Sequence, residues 1–136
     1  MLTPIAPQQI GFLWDWIRNG LEVVRKTRPV CTWLPEDVYH ELMTGQAHLY
    51  VIGAEDGFLV VKRCVTTYER VMFVWAIWAP AGTLLKHRKQ IITELDNLAR
   101  SAGLDRIRMD TTRDAEWSAS KLFVPVSTVF EREVSP

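Results

Sequence analysis

Apolar residues recur at Ile10, Leu13, Trp14, Ile17, Leu21 and Val24, the spacing of one helix face, so Gln8 to Lys26 reads as an amphipathic helix. Pro7 stands where a first-turn proline is tolerated, while Gly11 and Gly20 work against the helix. A second helix of about ten residues opens at Pro35-Glu36-Asp37, acids suited to its positive end, carries Val38 and Leu42 on its apolar side and stops at Gly45. From Ala47 the pattern changes to short strand-like runs: His48 to Ile52, a turn at Asp56-Gly57, Phe58 to Val65, a turn over Thr66 to Arg70, and Val71 to Trp78. The last run is uncharged on both faces, which predicts a central strand covered by helices on each side.

Leu84 to Ala102 places Ile91, Leu95, Leu98 and Ala102 on one stripe, with Gly103 as its stop, and predicts a long helix. Arg106 to Thr112 alternates charged and apolar residues, a half-exposed strand that must return beside an earlier one after the helix crossover. Asp114 to Leu122 predicts a short helix and Val126 to Val134 a last strand; Leu2 to Ile5 can add a short first one. The expected architecture is α+β: an antiparallel three-strand meander, then a parallel βαβ unit, with helices on both faces of a mixed sheet, in a single domain over residues 1–136.

Composition narrows the function classes. The 136 residues hold 16 Lys plus Arg against 16 Asp plus Glu and are 48% hydrophobic, enough to bury a core and without the bulk positive charge of a nonspecific nucleic-acid binder. No nucleic-acid partner is expected. The uncharged stretch Val71 to Leu85 is broken by Pro80 and Gly82 and is short of the roughly 20 residues a membrane-spanning helix needs, so no membrane insertion is expected. Cys31 and Cys64 match neither a zinc pair nor a dense disulfide scaffold, and the start Met-Leu-Thr-Pro-Ile-Ala lacks a signal-peptide pattern; free thiols and a cytoplasmic location are expected. His40, His48 and His87 have no ligand spacing, so no metal is expected. Hydrolase elbows, phosphate loops and dinucleotide fingerprints are absent.

The C-terminal third carries a family pattern. Leu98-Ala99-Arg100-Ser101-Ala102-Gly103 leads into Arg106-Ile107-Arg108-Met109, then Lys121-Leu122-Phe123-Val124-Pro125-Val126 and Phe130-Glu131-Arg132-Glu133. With the order of elements over nearly the whole chain, this is similar to the acyl-CoA-dependent N-acetyltransferases of the GNAT superfamily. The run Trp75 to Pro80 and this ending also resemble small GNAT-like proteins that tailed bacteriophages encode among their virion genes, which implies host cytoplasm and virion as locations. The GNAT resemblance implies acetyl-CoA, its pantetheine arm lying between the strands Val71 to Trp78 and Arg106 to Thr112. It also implies a pyrophosphate loop at Trp78, Ala79, Ala81, Gly82 and Thr83, with Lys86 and Arg88 attracting phosphate. The loop departs from the family pattern: Gly82 is its one glycine, and Pro80 has no N–H to donate.

Acyl transfer to an amine needs a base for the ammonium proton and an acid for the leaving thiolate. The resemblance places a Glu on or near the splayed strand and a Tyr in the last short helix. Val71 to Trp78 holds no acid and Asp114 to Leu122 no Tyr, so the catalytic residues stay unassigned; Glu69 and Tyr68 are the nearest substitutes. Asp114 and Glu116 read as first-turn acids, and Arg106, Arg108 and Arg113 as a mixed-charge face with Asp110. Six tryptophans serve either as core packing or as a surface for a protein partner or a second copy. Two functions remain open: an N-acetyltransferase with a degenerate pyrophosphate loop, and a non-catalytic GNAT-fold virion or accessory protein acting through protein contacts.

Overall fold

The computed structural model describes residues 1–27, 32–109, 132 and 134. Strand β1 (Leu2–Ile5) is followed by helices α1 (Pro7–Lys26) and α2 (Pro35–Thr44). Both helices begin with the expected proline, and in each a side chain three residues beyond the cap closes the first turn: Gln9 Oε1 accepts the Ala6 N–H at 3.1 Å, and Asp37 Oδ2 the Leu34 N–H at 2.8 Å. Gly45 ends α2 in the left-handed region at φ 79°. The meander is β2 (Ala47–Ile52), β3 (Gly57–Val65) and β4 (Arg70–Trp78), followed by α3 (Thr83–Ser101) and β5 (Arg106–Met109).

The five strands form one sheet in the order β1-β2-β3-β4-β5. Neighbours from β1 to β4 are antiparallel, and β5 returns parallel to β4 after the α3 crossover. This is the expected mixed α+β sheet. The short first strand exists and pairs with β2. The predicted residues Asp110 to Thr112 of the fifth strand, the helix Asp114 to Leu122, and the strand Val126 to Val134 apart from Arg132 and Val134 lie outside the described residues, as does Cys31.

Each face of the sheet carries its own core. Ile10, Ile17 and Leu21 of α1 and Val38 and Leu42 of α2 bury against Leu49, Val51, Phe58, Val60 and Ala76. On the other face Leu84, Ile91, Leu95 and Ala99 of α3 bury against Ile52, Leu59, Val61, Met72 and Val74. Fully buried aliphatic side chains of this kind contribute about 1.5–3 kcal/mol each. The two-sided core explains why β4 reads as apolar throughout: every residue of it after Arg70 is buried or half-buried.

A β-bulge interrupts β4. Val60 pairs with Ala76 but Val61 pairs with Val74, leaving Trp75 as the extra residue. Val74 and Ala76, two apart, therefore belong to opposite cores. The Asp56-Gly57 dipeptide does not supply the left-handed residues of the β2–β3 turn; those are Gly53 and Glu55. Gly57 starts β3, where a Cβ would collide with the Trp78 carbonyl oxygen, so this glycine serves close approach of the backbones.

Gly20, a weakness in the helix pattern, has a similar reason. A Cβ there would lie 2.8 Å from the buried Phe58 ring and 2.9 Å from the Trp78 ring. Those rings form a contact set with Trp16, whose centroid is 5.4 Å from Phe58 and 5.9 Å from Trp78, with edge-on geometry in both pairs. Gly20→Ala should lose about 1–3 kcal/mol of stability through overpacking despite alanine's better helix propensity. Chemical-denaturation midpoints check this; an unchanged or raised midpoint would show that the rings can shift freely.

Candidate functional site at the open edge of the central strand

β4 and β5 pair from Val71↔Arg106 to Val74↔Met109. Beyond Val74, no strand among the described residues pairs with this edge of β4, and the bulge at Trp75 falls next to the last described pair. Backbone N–H and C=O groups along such an edge require partners. The strand ends at Trp78 and enters the loop 79–82, which delivers the chain to the start of α3.

The structure gathers the residues expected to bind a cofactor at this turn. Trp78 is half-buried, and the Ala79 side chain is buried in the α3-side core, leaving its backbone to face the turn. Ala81 and Gly82 are exposed, and Gly82 caps α3 at φ 84°, ψ −18°, a conformation that favours glycine. Pro80 contributes its carbonyl, which accepts the Thr83 N–H at 3.1 Å. The first helical bond of α3 is Lys86 N–H to Gly82 O at 3.1 Å, so the N–H groups of Leu84 and Leu85 precede the helical ladder. No side chain caps this end and its first turn holds no acid. Lys86 is exposed and Arg88 half-buried; the half-buried His87 turns toward the β2–β3 turn, its Nε2 4.0 Å from Asp56 Oδ2. The helix dipole and the cations together suit an anion.

The two substitutes for a missing acid and base lie at the opposite end of β4, roughly 25–30 Å away at ~3.3 Å per residue. Tyr68 is 93% exposed. Glu69 forms a two-point ion pair with Arg108, at 3.0 Å from Nη2 and 3.2 Å from Nη1. Hydrogen bonding to Arg108, then its charge, holds the Glu69 carboxyl below the usual carboxylate range, which makes it a weaker base. Beside this pair, Arg70 Nε donates to Gly103 O at 2.7 Å and Asp105 N–H to Arg70 O at 3.0 Å. These contacts latch the closed end of the β4–β5 pair. Their role is positional.

On the α1/α2 face, the bulged Trp75 lies beneath a charged group that the sequence patterns had not singled out. Lys62 Nζ stands 4.2 Å from the centroid of the Trp75 ring and 2.8 Å from Glu41 Oε1, and Trp33 meets Trp75 edge-on at 6.1 Å. The signal was unreadable along the chain because Glu41, Lys62 and Trp75 belong to α2, β3 and β4. All five described tryptophans are half-buried, and each packs against the α1/α2-side core. No group of three metal-ligating side chains occurs among the described residues, and no described helix is long and apolar enough to cross a membrane.

No protein-family model and no curated protein matches this chain. Solved structures match it over nearly its full length. An aminoglycoside acetyltransferase from an uncultured soil metagenomic sample, in complex with sisomicin, superposes with a TM-score of 0.70 at 11% identity, covering 100% of this chain and 95% of that one. The ribosomal-protein-alanine N-acetyltransferase of Brucella melitensis gives 0.64 at 11% identity over 99% and 98%. A predicted acetyltransferase from Clostridium acetobutylicum with acetyl-CoA gives 0.67 at 11% over 98% and 95%. The chain is thus similar to GNAT acetyltransferases in fold, as its order of elements implied.

The Glu69–Arg108 latch has a pH signature. A carboxyl held below its usual range contributes stability above its unfolded pKa, and that contribution disappears as pH falls through the lower folded value. Glu36 acts with the same sign, through a backbone hydrogen bond first and Arg18 second. Unfolding midpoints should therefore fall as the solution is acidified below about pH 4.5. Glu69→Gln should shallow that slope, by a small amount that added salt reduces further because the pair is exposed. Parallel slopes for the native protein and the variant would show that Glu69 takes no part.

Proposed function

We propose that this protein binds acetyl-CoA along the open edge of β4 and transfers the acetyl group to an amine. The observation that carries the reading is the coincidence, at one end of β4, of a strand edge that has no partner among the described residues beyond the Trp75 bulge and a helix start with neither a side-chain cap nor an acid. Pantetheine holds two amide groups, which suit the donors and acceptors of a strand edge. The CoA pyrophosphate suits the N–H groups of Leu84 and Leu85, with Lys86 and Arg88 supplying positive charge. The chain's residues fit such a ligand with one donor fewer, since Pro80 replaces an N–H. Acetyl-CoA supplies the acyl group as an activated thioester; the protein's part is to hold it extended and to bring the acceptor against it.

A second reading, a GNAT-fold virion or accessory protein acting through protein contacts, draws support from the Pro80 loop and from the absence of an acid within β4. The packing of all five described tryptophans into the α1/α2-side core counts against a tryptophan-rich docking surface.

Thermal unfolding with and without acetyl-CoA separates the two. At 100 times its dissociation constant the ligand should stabilise the fold by about 2.7 kcal/mol, whereas no shift at millimolar ligand would reject the cofactor reading. Replacing Arg88 with Glu, or Lys86 with Glu, should weaken acetyl-CoA binding about fivefold each by placing negative charge at the helix start. Unchanged affinity in a folded variant would remove that side chain from the site.

A further inference from the structure

We infer that Trp75 and Glu41 form a binding site for a primary alkylammonium group, which the side chain of Lys62 fills until an acceptor displaces it; this rests on the acetyl-transfer reading above. Three geometric facts define the site. The Lys62 ammonium lies 4.2 Å over the indole face, and its charge is met by both carboxylate oxygens of Glu41, at 2.8 Å and 3.1 Å. Trp33 closes one side, its ring 6.1 Å from Trp75 at 68°. An aromatic face, a second ring edge and a carboxylate are the groups that recognise an alkylammonium ion. The Lys62 head group, itself a primary alkylammonium ion, shows that these groups match the charge and size of one.

Its position gives it a purpose. Trp75 is the bulged residue, the first of β4 beyond the last described pair with β5, so the cradle adjoins the stretch of β4 proposed for the thioester. Lys62 comes from β3, its backbone opposite Phe73, and reaches the cradle through its flexible stem. Its side chain keeps 27% of its surface exposed and Glu41 keeps 20%, so Lys62 can swing to solvent without unfolding the sheet. When Lys62 leaves, Glu41 remains a partly desolvated carboxylate without a cation, and an incoming ammonium restores the balance. Other carboxylates among the described residues are held by arginines: Glu22 by Arg25, Glu36 by Arg18 and Glu69 by Arg108. Glu41 is paired instead with a lysine whose ammonium lies over an aromatic ring.

The test is a titration of the full chain with n-butylammonium chloride, read by the indole N–H resonance of Trp75, assigned by its loss in Trp75→Phe. Lys62→Met removes the resident charge and retains much of the stem. It should bind butylammonium about tenfold more tightly than the native protein. Adding Glu41→Gln to Lys62→Met should erase that gain. Equal affinity in all three proteins would overturn the proposal, as would a gain that survives the loss of Glu41. Lys62→Gln carries the same expectation should the methionine variant fail to fold. The acetyl-CoA thermal shift is measured on the same samples. A butylammonium gain without that shift would leave the cradle standing and reject the CoA reading; the shift without the gain would do the reverse.

Discussion

β4 must satisfy two demands that conflict in an ordinary strand. It lies beside the middle strand of the described sheet and both helical layers close over it, so its side chains must be buried on two faces. It must also present Val74 and Ala76, two positions apart, to opposite cores, which a strictly alternating strand cannot do. The bulge at Trp75 reconciles the two. One extra residue breaks the ladder, raises local twist and switches the alternation, so Val74 serves the α3 core while Ala76, two positions on, serves the α1/α2 core. A regular strand here would leave Ala76 in the wrong layer.

Around this divided strand, stabilising contacts are distributed unevenly. The closed end is latched by polar contacts from Glu69 and Arg70 to Arg108 and Gly103. Toward the other end the α1/α2 face is welded by aromatic rings, with α1 brought so close at Gly20 that Phe58 and Trp78 leave no space for a Cβ. Trp78 links packing to the site, because the same residue that completes the aromatic set is the last before the loop to α3. The rigid wall that these rings form braces the end of β4 from which the loop to α3 departs.

The elements themselves were legible because local chemistry and burial agree. Pro7, Pro35 and Gly45 mark helix ends by backbone rules, and the uncharged β4 announces two-sided burial. The position of the candidate site rests on Gly82 and the cations after it, since a helix start without acids is visible in one dimension. What could not be read was juxtaposition. The purpose of Gly20 depends on a ring 38 residues later, by its number, and on another 58 later. The bulge depends on the register between β3 and β4, which no single run of residues encodes. Along the chain Glu69 reads as a substitute for a catalytic acid or base; Arg108, brought alongside by the βαβ crossover, is what commits it to the latch.

Charge completes the division of the molecule. The chain is neutral overall, yet its cations are met differently at different places along β4. At the start of α3, Lys86 stands near the positive pole of the helix with no acid in the first turn, an arrangement that is mildly unfavourable alone and becomes favourable once an anion binds. Lys62 is the opposite case, a cation whose needs are fully met by Glu41 and Trp75. One place is thus strained toward an anion, and the other is already filled by a cation that resembles an amine. The open stretch of β4 joins them, and a thioester held along that edge would have its phosphates at the first and its carbonyl toward the second.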